Sequence, residues 1–338
     1  MNLLAPTASP LPRLHDALAQ DLEHRLGRDV PAALWQRALT GPLAEFTRRP
    51  GKELRARLCE LAWALAGGRG ESPEAVALII EALHAGSLIV DDIEDDAHER
   101  RGAPALHVLV GVPVAINAGT WLYFWALEQL GGLPLPPAAA LAVHRVGVGA
   151  LLACHQGQAL DLAARVDELE PGRLGVVVAA ITRGKTACLM GLATRLAAVV
   201  AGADEARVAA IAALGEELGT GLQMLDDLGG LGRARRDKGL EDLRAARVTW
   251  PWAWLAEVAD DLACSRLQHR LRAAREHRDA AELDAIADAV HHAVEPLGRA
   301  RVRAALDLAL DHAAAALGDG PVLRALADEI RRLEESYG

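Results

Sequence analysis

His84-Ala85-Gly86-Ser87-Leu88-Ile89-Val90-Asp91-Asp92-Ile93-Glu94-Asp95-Asp96 is an apolar run that ends in a cluster of carboxylates. Read with a helical period, Asp91 and Asp95 fall on one face with Asp92 alongside, and that face runs back through Ser87 and His84. Carboxylates four residues apart repel one another in an isolated helix. The spacing becomes favourable when a hard divalent cation lies between them, because Mg²⁺ takes oxygen ligands, commonly one or two carboxylates completed by water and substrate phosphate. Alone, the cluster also fits the solvated end of an ordinary acidic helix. Two neighbouring features argue for the metal. The residues just before it, Leu88, Ile89 and Val90, are apolar, so the acids emerge from a buried helix. Arg100-Arg101-Gly102 follows a short loop later, setting phosphate-clamping guanidiniums beside the acids.

Outward from this stretch, the chain of 338 residues is 51% hydrophobic and only 3% aromatic. Its apolar mass is Ala and Leu, which favour helix over strand. Breaks fall at residues 42–51, 67–73, 102–113, 131–136, 171–172, 229–239 and 318–321, with helix-length segments between them. Ser72-Pro73 reads as an N-cap followed by proline at the first helical position. Segments such as 174–181 and 192–200 are apolar on most faces and belong inside a large bundle. The expectation is one all-α domain over residues 13–338, of roughly ten or more helices, behind a flexible tail of residues 1–12. Trp250, Trp252, Trp254 and the His291-His292 pair read as core or interface packing.

The formal charge is -10, which disfavours nucleic acid as a partner. A net-negative chain handling anions must supply local positive charge or metals. Cys59, Cys154, Cys188 and Cys264 are far apart in sequence, form no CxxC pair and read as small hydrophobes in a reducing compartment. The N-terminus has no basic region before its apolar residues, and no uninterrupted apolar run of about 18 residues occurs. These features predict a soluble, cytoplasmic protein without a membrane span.

The block from His84 to Asp95 with Arg100-Arg101-Gly102 resembles the aspartate-rich region of the trans-type polyprenyl diphosphate synthases, most closely those of the eukaryotic geranylgeranyl diphosphate type. Further pieces follow in the family's order. Gly51-Lys52-Glu53-Leu54-Arg55 resembles GKxxR, Gly157-Gln158-Ala159-Leu160-Asp161 resembles GQxxD, Lys185-Thr186 matches a KT pair, and Gln223-Met224-Leu225-Asp226-Asp227 resembles the second aspartate motif. The resemblance implies an isoprenoid-synthase-like helical bundle with a central apolar cavity, acting as a homodimer. It assigns Lys52, Arg55, His84 and Arg101 to the diphosphate of isopentenyl diphosphate. Arg100, Gln158, Asp161, Lys185, Thr186, Gln223 and Lys238 are assigned to substrate binding. Asp91, Asp92, Asp95, Asp226 and Asp227 would hold Mg²⁺, three ions per site. Asp91, Asp92, Lys185, Thr186, Gln223 and Asp226 would carry catalysis.

One departure stands out: Gly230 occupies the position where the family has a third carboxylate in its second motif, and Arg247 stands where it more often has lysine. The resemblance also implies a chain-length floor. Ser87 and its small neighbours leave the top of the tunnel open, and Tyr123, Phe124 and His155 would close it for a twenty-carbon product. Two other readings exist. A class I terpene cyclase would not need Lys52, Arg55, His84 and Arg101, and a weakly catalytic partner subunit would account for Gly230.

Overall fold

The structure is a computed structural model that describes residues 10–27, 29–49, 54–70 and 72–335. Gly51, Lys52 and Glu53 of the GKxxR element lie outside the described residues, as do residues 1–9 of the tail. The first helix begins at Pro10. The all-α expectation holds: among the described residues sixteen α-helices stand beside one two-residue β pair. Contacts divide the chain into two compact units, Met1–Val148 with Ala193–Val208, and Gly149–Leu192 with Ala209–Gly338.

In the first unit the helices are α1 (Pro10–Arg25), α2 (Ala32–Trp35), α3 (Gly41–Thr47), α4 (Leu54–Leu65), α5 (Glu74–Glu94), α6 (Leu106–Val110) and α7 (Val112–Gly131), with the first part of α8 (Pro137–Ala163). Where a break was expected at Pro42, the helix runs on from α2 through a π turn, Gln36–Thr40, into α3, whose first turn accommodates the proline. The start of α5 lies one residue later than Ser72-Pro73 predicts: Pro73 flanks the helix and Glu74 opens it. Helix α5 buries Val76, Ile79, Ile80, Leu83, Gly86 and Ile89 at helical spacing. It meets α7 glycine to glycine, for a Cβ on Gly86 would lie 2.7 Å from the carbonyl oxygen of Gly119. Between α5 and α6, β1 (Glu99–Arg100) pairs antiparallel with β2 (Ala103–Pro104).

The second unit takes the end of α8, then α9 (Leu174–Thr182), the start of α10 (Cys188–Val200), most of α11 (Glu205–Leu231), α12 (Arg236–Arg244), α13 (Trp250–Val258), α14 (Asp261–Glu276), α15 (Ala280–Leu317) and α16 (Pro321–Glu335). The expected break at 229–239 is shorter than the glycines suggest. Helix α11 runs through Gly229 and Gly230, and Gly239 lies inside α12. A Cβ on Gly239 would come 2.2 Å from the carbonyl oxygen of Gly230, so Gly239 serves close helix contact and not a turn. Trp252 and Trp254 are core residues, and Trp254 abuts Gly298 of α15.

Two expectations from apolar composition are corrected. Helix α9 buries Leu174, Val178, Ile181 and Thr182, yet Val176 is 62% exposed. Two stretches, Pro137–Ala163 and Pro171–Val200, are long and apolar enough to cross a membrane by length and composition, with mean hydropathies of 1.5 and 1.4. The uninterrupted-run criterion missed them because each carries scattered polar residues. Leu141, Leu152 and Leu160 of α8 are exposed.

Candidate active site

Each unit carries one acidic motif with its own basic groups. In the first unit the two-residue turn between β1 and β2 places Arg101 and Gly102 at φ 57° and 74°, the positive values of a type I′ hairpin. The hairpin returns Arg100 to the end of α5. There its Nε donates to Asp92 Oδ1 at 2.6 Å, and its guanidinium lies 3.7 Å from Asp91 Oδ2. Asp92 is fully buried, and its Oδ2 has no hydrogen-bond partner among the described residues. Burial raises the Asp92 pKa against the opposing pull of Arg100. Asp95 caps the C-terminus of α5 and is exposed.

A basic cluster lies on the same unit. Arg55 of α4 contacts His84 of α5 at 3.1 Å. Burial, and then Arg55, Arg101 and Arg100, hold the His84 imidazole well below its ordinary pKa, so it is neutral near pH 7. Ser87 spends its hydroxyl on the His84 carbonyl at 2.8 Å. Tyr123 lies against Gly86, where its ring carbon would be 3.1 Å from an added Cβ. Phe124 does not join it: it is 71% exposed, on a stripe with Val112 and Ile116. Neighbouring helical residues point about 100° apart, and within this chain only Tyr123 of the pair lies against Gly86. A separate cleft of about 310 Å³ opens at the other end of α5, lined by Gln20, Asp21, Leu78, Trp125 and Gln129 among others. Leu78 is roughly 20 Å along the helix from Asp91 at 1.5 Å per residue.

In the second unit, Lys185 and Thr186 sit on a single turn of π-helix, Arg183–Ala187, joining α9 to α10. Such turns are rare and re-aim side chains. Lys185 Nζ donates to Asp161 Oδ2 of α8 at 2.8 Å. Arg247, buried, donates to the Asp161 carbonyl and approaches its carboxylate at 3.8 Å. The turn touches α8 because both carry glycine: a Cβ on Gly157 would meet the Lys185 nitrogen at 2.5 Å. The same approach brings Cys154 and Cys188 to 3.1 Å, sulfur to sulfur, despite their separation in sequence. Gln158 is half-buried and His155 exposed, its Nδ1 against the Leu151 carbonyl.

On α11 the second motif is internally committed. Thr186 donates to Gln223 Oε1, and Gln223 Nε2 donates to Asp227 Oδ1, both at 2.7 Å. Asp227 Oδ2 accepts the backbone N–H of Trp250 at 3.0 Å, capping α13 from outside. The Trp250 indole donates to Thr182 at 3.0 Å. Trp250 thus ties three elements of the site together, a role that its reading as packing missed and that no local motif signals. Removal from water raises the Asp227 pKa to about 7, with the bonds from Trp250 and Gln223 opposing. Asp226 pairs with Lys238 and, at 2.7 Å, with Arg235.

Mg²⁺ is tested by the donor set. Among the described residues no three His, Cys, Asp or Glu side chains converge on a ready-made metal cage. Mg²⁺ needs fewer, since one or two carboxylates suffice when phosphate completes the shell. The orphaned oxygen of buried Asp92, beside Asp91, fits that requirement.

The chain matches the polyprenyl synthetase family model over residues 36–290. It is 31% identical over 206 residues to the geranylgeranyl diphosphate synthase of Sulfolobus acidocaldarius, across 59% of this chain and 61% of that one. It is 37% identical over 184 residues to the geranylgeranyl diphosphate synthase of Mycobacterium tuberculosis, across 54% and 51%. The first curated relatives are spanned over 36% to 61% of their lengths. Two solved structures share the fold: a decaprenyl diphosphate synthase from Rhodobacter capsulatus (TM-score 0.74, 24% identity, 97% of this chain and 100% of that one) and a geranylgeranyl pyrophosphate synthase from Lactobacillus brevis (TM-score 0.76, 22% identity, 96% and 95%).

Proposed function

We propose, from the premise that this chain belongs to the polyprenyl synthetase family, that it is a prenyltransferase joining isopentenyl diphosphate to an allylic diphosphate. The observation that carries the reading is buried Asp92, with one oxygen on Arg100 and one without a partner among the described residues, on the same unit as Arg55, His84 and Arg101. The family match crosses both units, and the synthase domain is inferred to comprise residues 13–338.

In this reading Asp91, Asp92 and Asp95 hold Mg²⁺ on the first unit, and Asp226 does so on the second, with three ions as the proposed complement. Bound Mg²⁺ would supply Lewis-acid neutralisation of the departing diphosphate. Lys52, Arg55 and Arg101 hold the diphosphate of isopentenyl diphosphate, and neutral His84 donates a hydrogen bond to it. Lys185 and Lys238 add positive charge toward the allylic diphosphate, with Gln158 assigned to substrate binding beside them, while Asp161 holds Lys185 and Thr186 and Gln223 hold Asp227. The allylic carbon–oxygen bond breaks and a carbon–carbon bond forms to the isopentenyl double bond. A proton then leaves to the released diphosphate, since the motifs offer no protein base. The cyclase alternative has no use for Arg55, His84 and Arg101.

The product is inferred to be twenty carbons long, as the names of the relatives suggest, with Tyr123 over Gly86 as the stop. Phe124 is assigned instead, with Val112 and Ile116, to an apolar face covered by a second copy in a homodimer. Tyr123→Ala should lengthen the product, and Phe124→Ala should weaken self-association while leaving product length unchanged. The direct test is incubation of the purified chain with Mg²⁺, labelled isopentenyl diphosphate and dimethylallyl, geranyl or farnesyl diphosphate. A C20 diphosphate is expected by chromatography. No elongation from any primer would contradict the reading.

A further inference from the structure

Arg101 adopts φ 57° at the first central position of a type I′ turn, where asparagine is the residue such turns ordinarily select. A non-glycine residue held in the left-handed region persists only where its surroundings impose it, and such outliers mark functional positions. The surroundings here are specific. Arg49, just beyond α3, is 6% exposed. Its Nη1 donates to the Arg100 carbonyl at 3.3 Å and its Nη2 to Glu45 at 3.1 Å, while Arg101 Nη1 donates back to the Arg49 carbonyl at 3.5 Å. Both guanidiniums lie over one ring, that of fully buried Phe46, each 5.8 Å from its centroid. Two cations on a single buried ring repel one another. That arrangement is sensible when an anion is to be received, and Arg100, committed to Asp92, is not the group left to receive it.

We propose that Arg49 is a positioning residue: with Phe46 it braces the β1–β2 turn and holds Arg101 aimed at a diphosphate. The proposal rests on the reading of Arg101 as a ligand of isopentenyl diphosphate. Burial and the charges of Arg100 and Arg49 lower the Arg101 pKa, with Glu81 opposing, in keeping with a crowded cationic site. Lysine at position 49 keeps the charge but lacks the planar fork that reaches both the Arg100 carbonyl and Glu45.

The test is calorimetric binding of isopentenyl diphosphate and, separately, of an allylic diphosphate to the full chain and to Arg49→Lys, Arg101→Asn and the double variant. Arg101→Asn relieves the turn and removes the ligand. It should weaken isopentenyl diphosphate by about ten- to a hundredfold while raising or preserving the melting temperature. Arg49→Lys should weaken the same ligand by about tenfold, leave the allylic ligand unchanged, and add nothing to Arg101→Asn, because coupled residues are non-additive. Unchanged binding in Arg101→Asn would overturn the ligand reading itself. Weakening in Arg101→Asn without weakening in Arg49→Lys would overturn the positioning role alone, as would additive losses in the double variant. Should Arg49→Lys fail to fold, Phe46→Leu removes the shared ring and must give the same selective loss.

Discussion

At the end of α5, Asp92 is buried with one oxygen on Arg100 and the other without a partner among the described residues. On α11, both oxygens of Asp227 are taken, by the Trp250 N–H and by Gln223, and Asp226 is paired with Lys238 and Arg235. The first motif therefore keeps acceptor capacity in reserve, and an unmet buried carboxylate oxygen is costly until a cation or donor arrives. The second motif spends Asp227 on architecture and pairs Asp226 with the cations Lys238 and Arg235. Two adjacent-aspartate pairs, Asp91-Asp92 and Asp226-Asp227, thus differ in which acids are available for a metal.

The largest effect should follow from breaking the first motif. Asp92→Asn keeps the shape and removes the charge, and activity should fall by about three orders of magnitude, since Lewis-acid assistance is worth several kcal/mol. Steady-state turnover measures it, and near-normal turnover would remove the first motif from the metal account.

A second, smaller effect tests how α12 delivers Lys238 to Asp226. Gly239→Ala places a Cβ 2.2 Å from the Gly230 carbonyl and should cost about 1–3 kcal/mol by overpacking. Gly230→Ala meets its nearest atom at 3.7 Å and should be neutral or up to about 1 kcal/mol stabilising through helix propensity. Denaturant midpoints for the two variants give the comparison, and equal costs would refute the one-sided contact.

A third effect is a pH dependence. Asp227 is raised to about 7 in the fold, so ionising it opposes folding at pH above 7, and the penalty is relieved as pH falls from 7 toward its unfolded value near 4. Asn at this position is neutral throughout. Measured in chelator, the stability of Asp227→Asn relative to the parent should therefore improve from pH 5 to pH 8, by at most a few kcal/mol. A flat difference would mean that Asp227 is not held out of water.

The helical segments, the shared face of Asp91 and Asp95, and the order of the motifs were legible because period and spacing are local properties. Other features depend on what packs against what. The π-turn under Lys185 and the cap that Asp227 places on α13 have no local signature, and Trp250 was indistinguishable from its core neighbours Trp252 and Trp254. Glycines 229, 230 and 239 looked like a break because sequence does not reveal whether glycine serves a turn or a close helix contact. The Tyr123-Phe124 pair read as one aromatic floor, and sequence did not reveal that Phe124 is exposed on this chain while Tyr123 lies against Gly86. Cys154 and Cys188 looked remote until the Gly157–Gly184 approach brought them together.

The most direct test is calorimetric titration of Mg²⁺ into the chain with inorganic pyrophosphate present, comparing the parent with Asp92→Asn and Asp227→Asn. The account predicts that Asp92→Asn abolishes the high-affinity heat, whereas Asp227→Asn retains it with at most a small change in affinity. Equal loss of Mg²⁺ binding in both variants would contradict the account, because it would make Asp227 a metal ligand and not a cap.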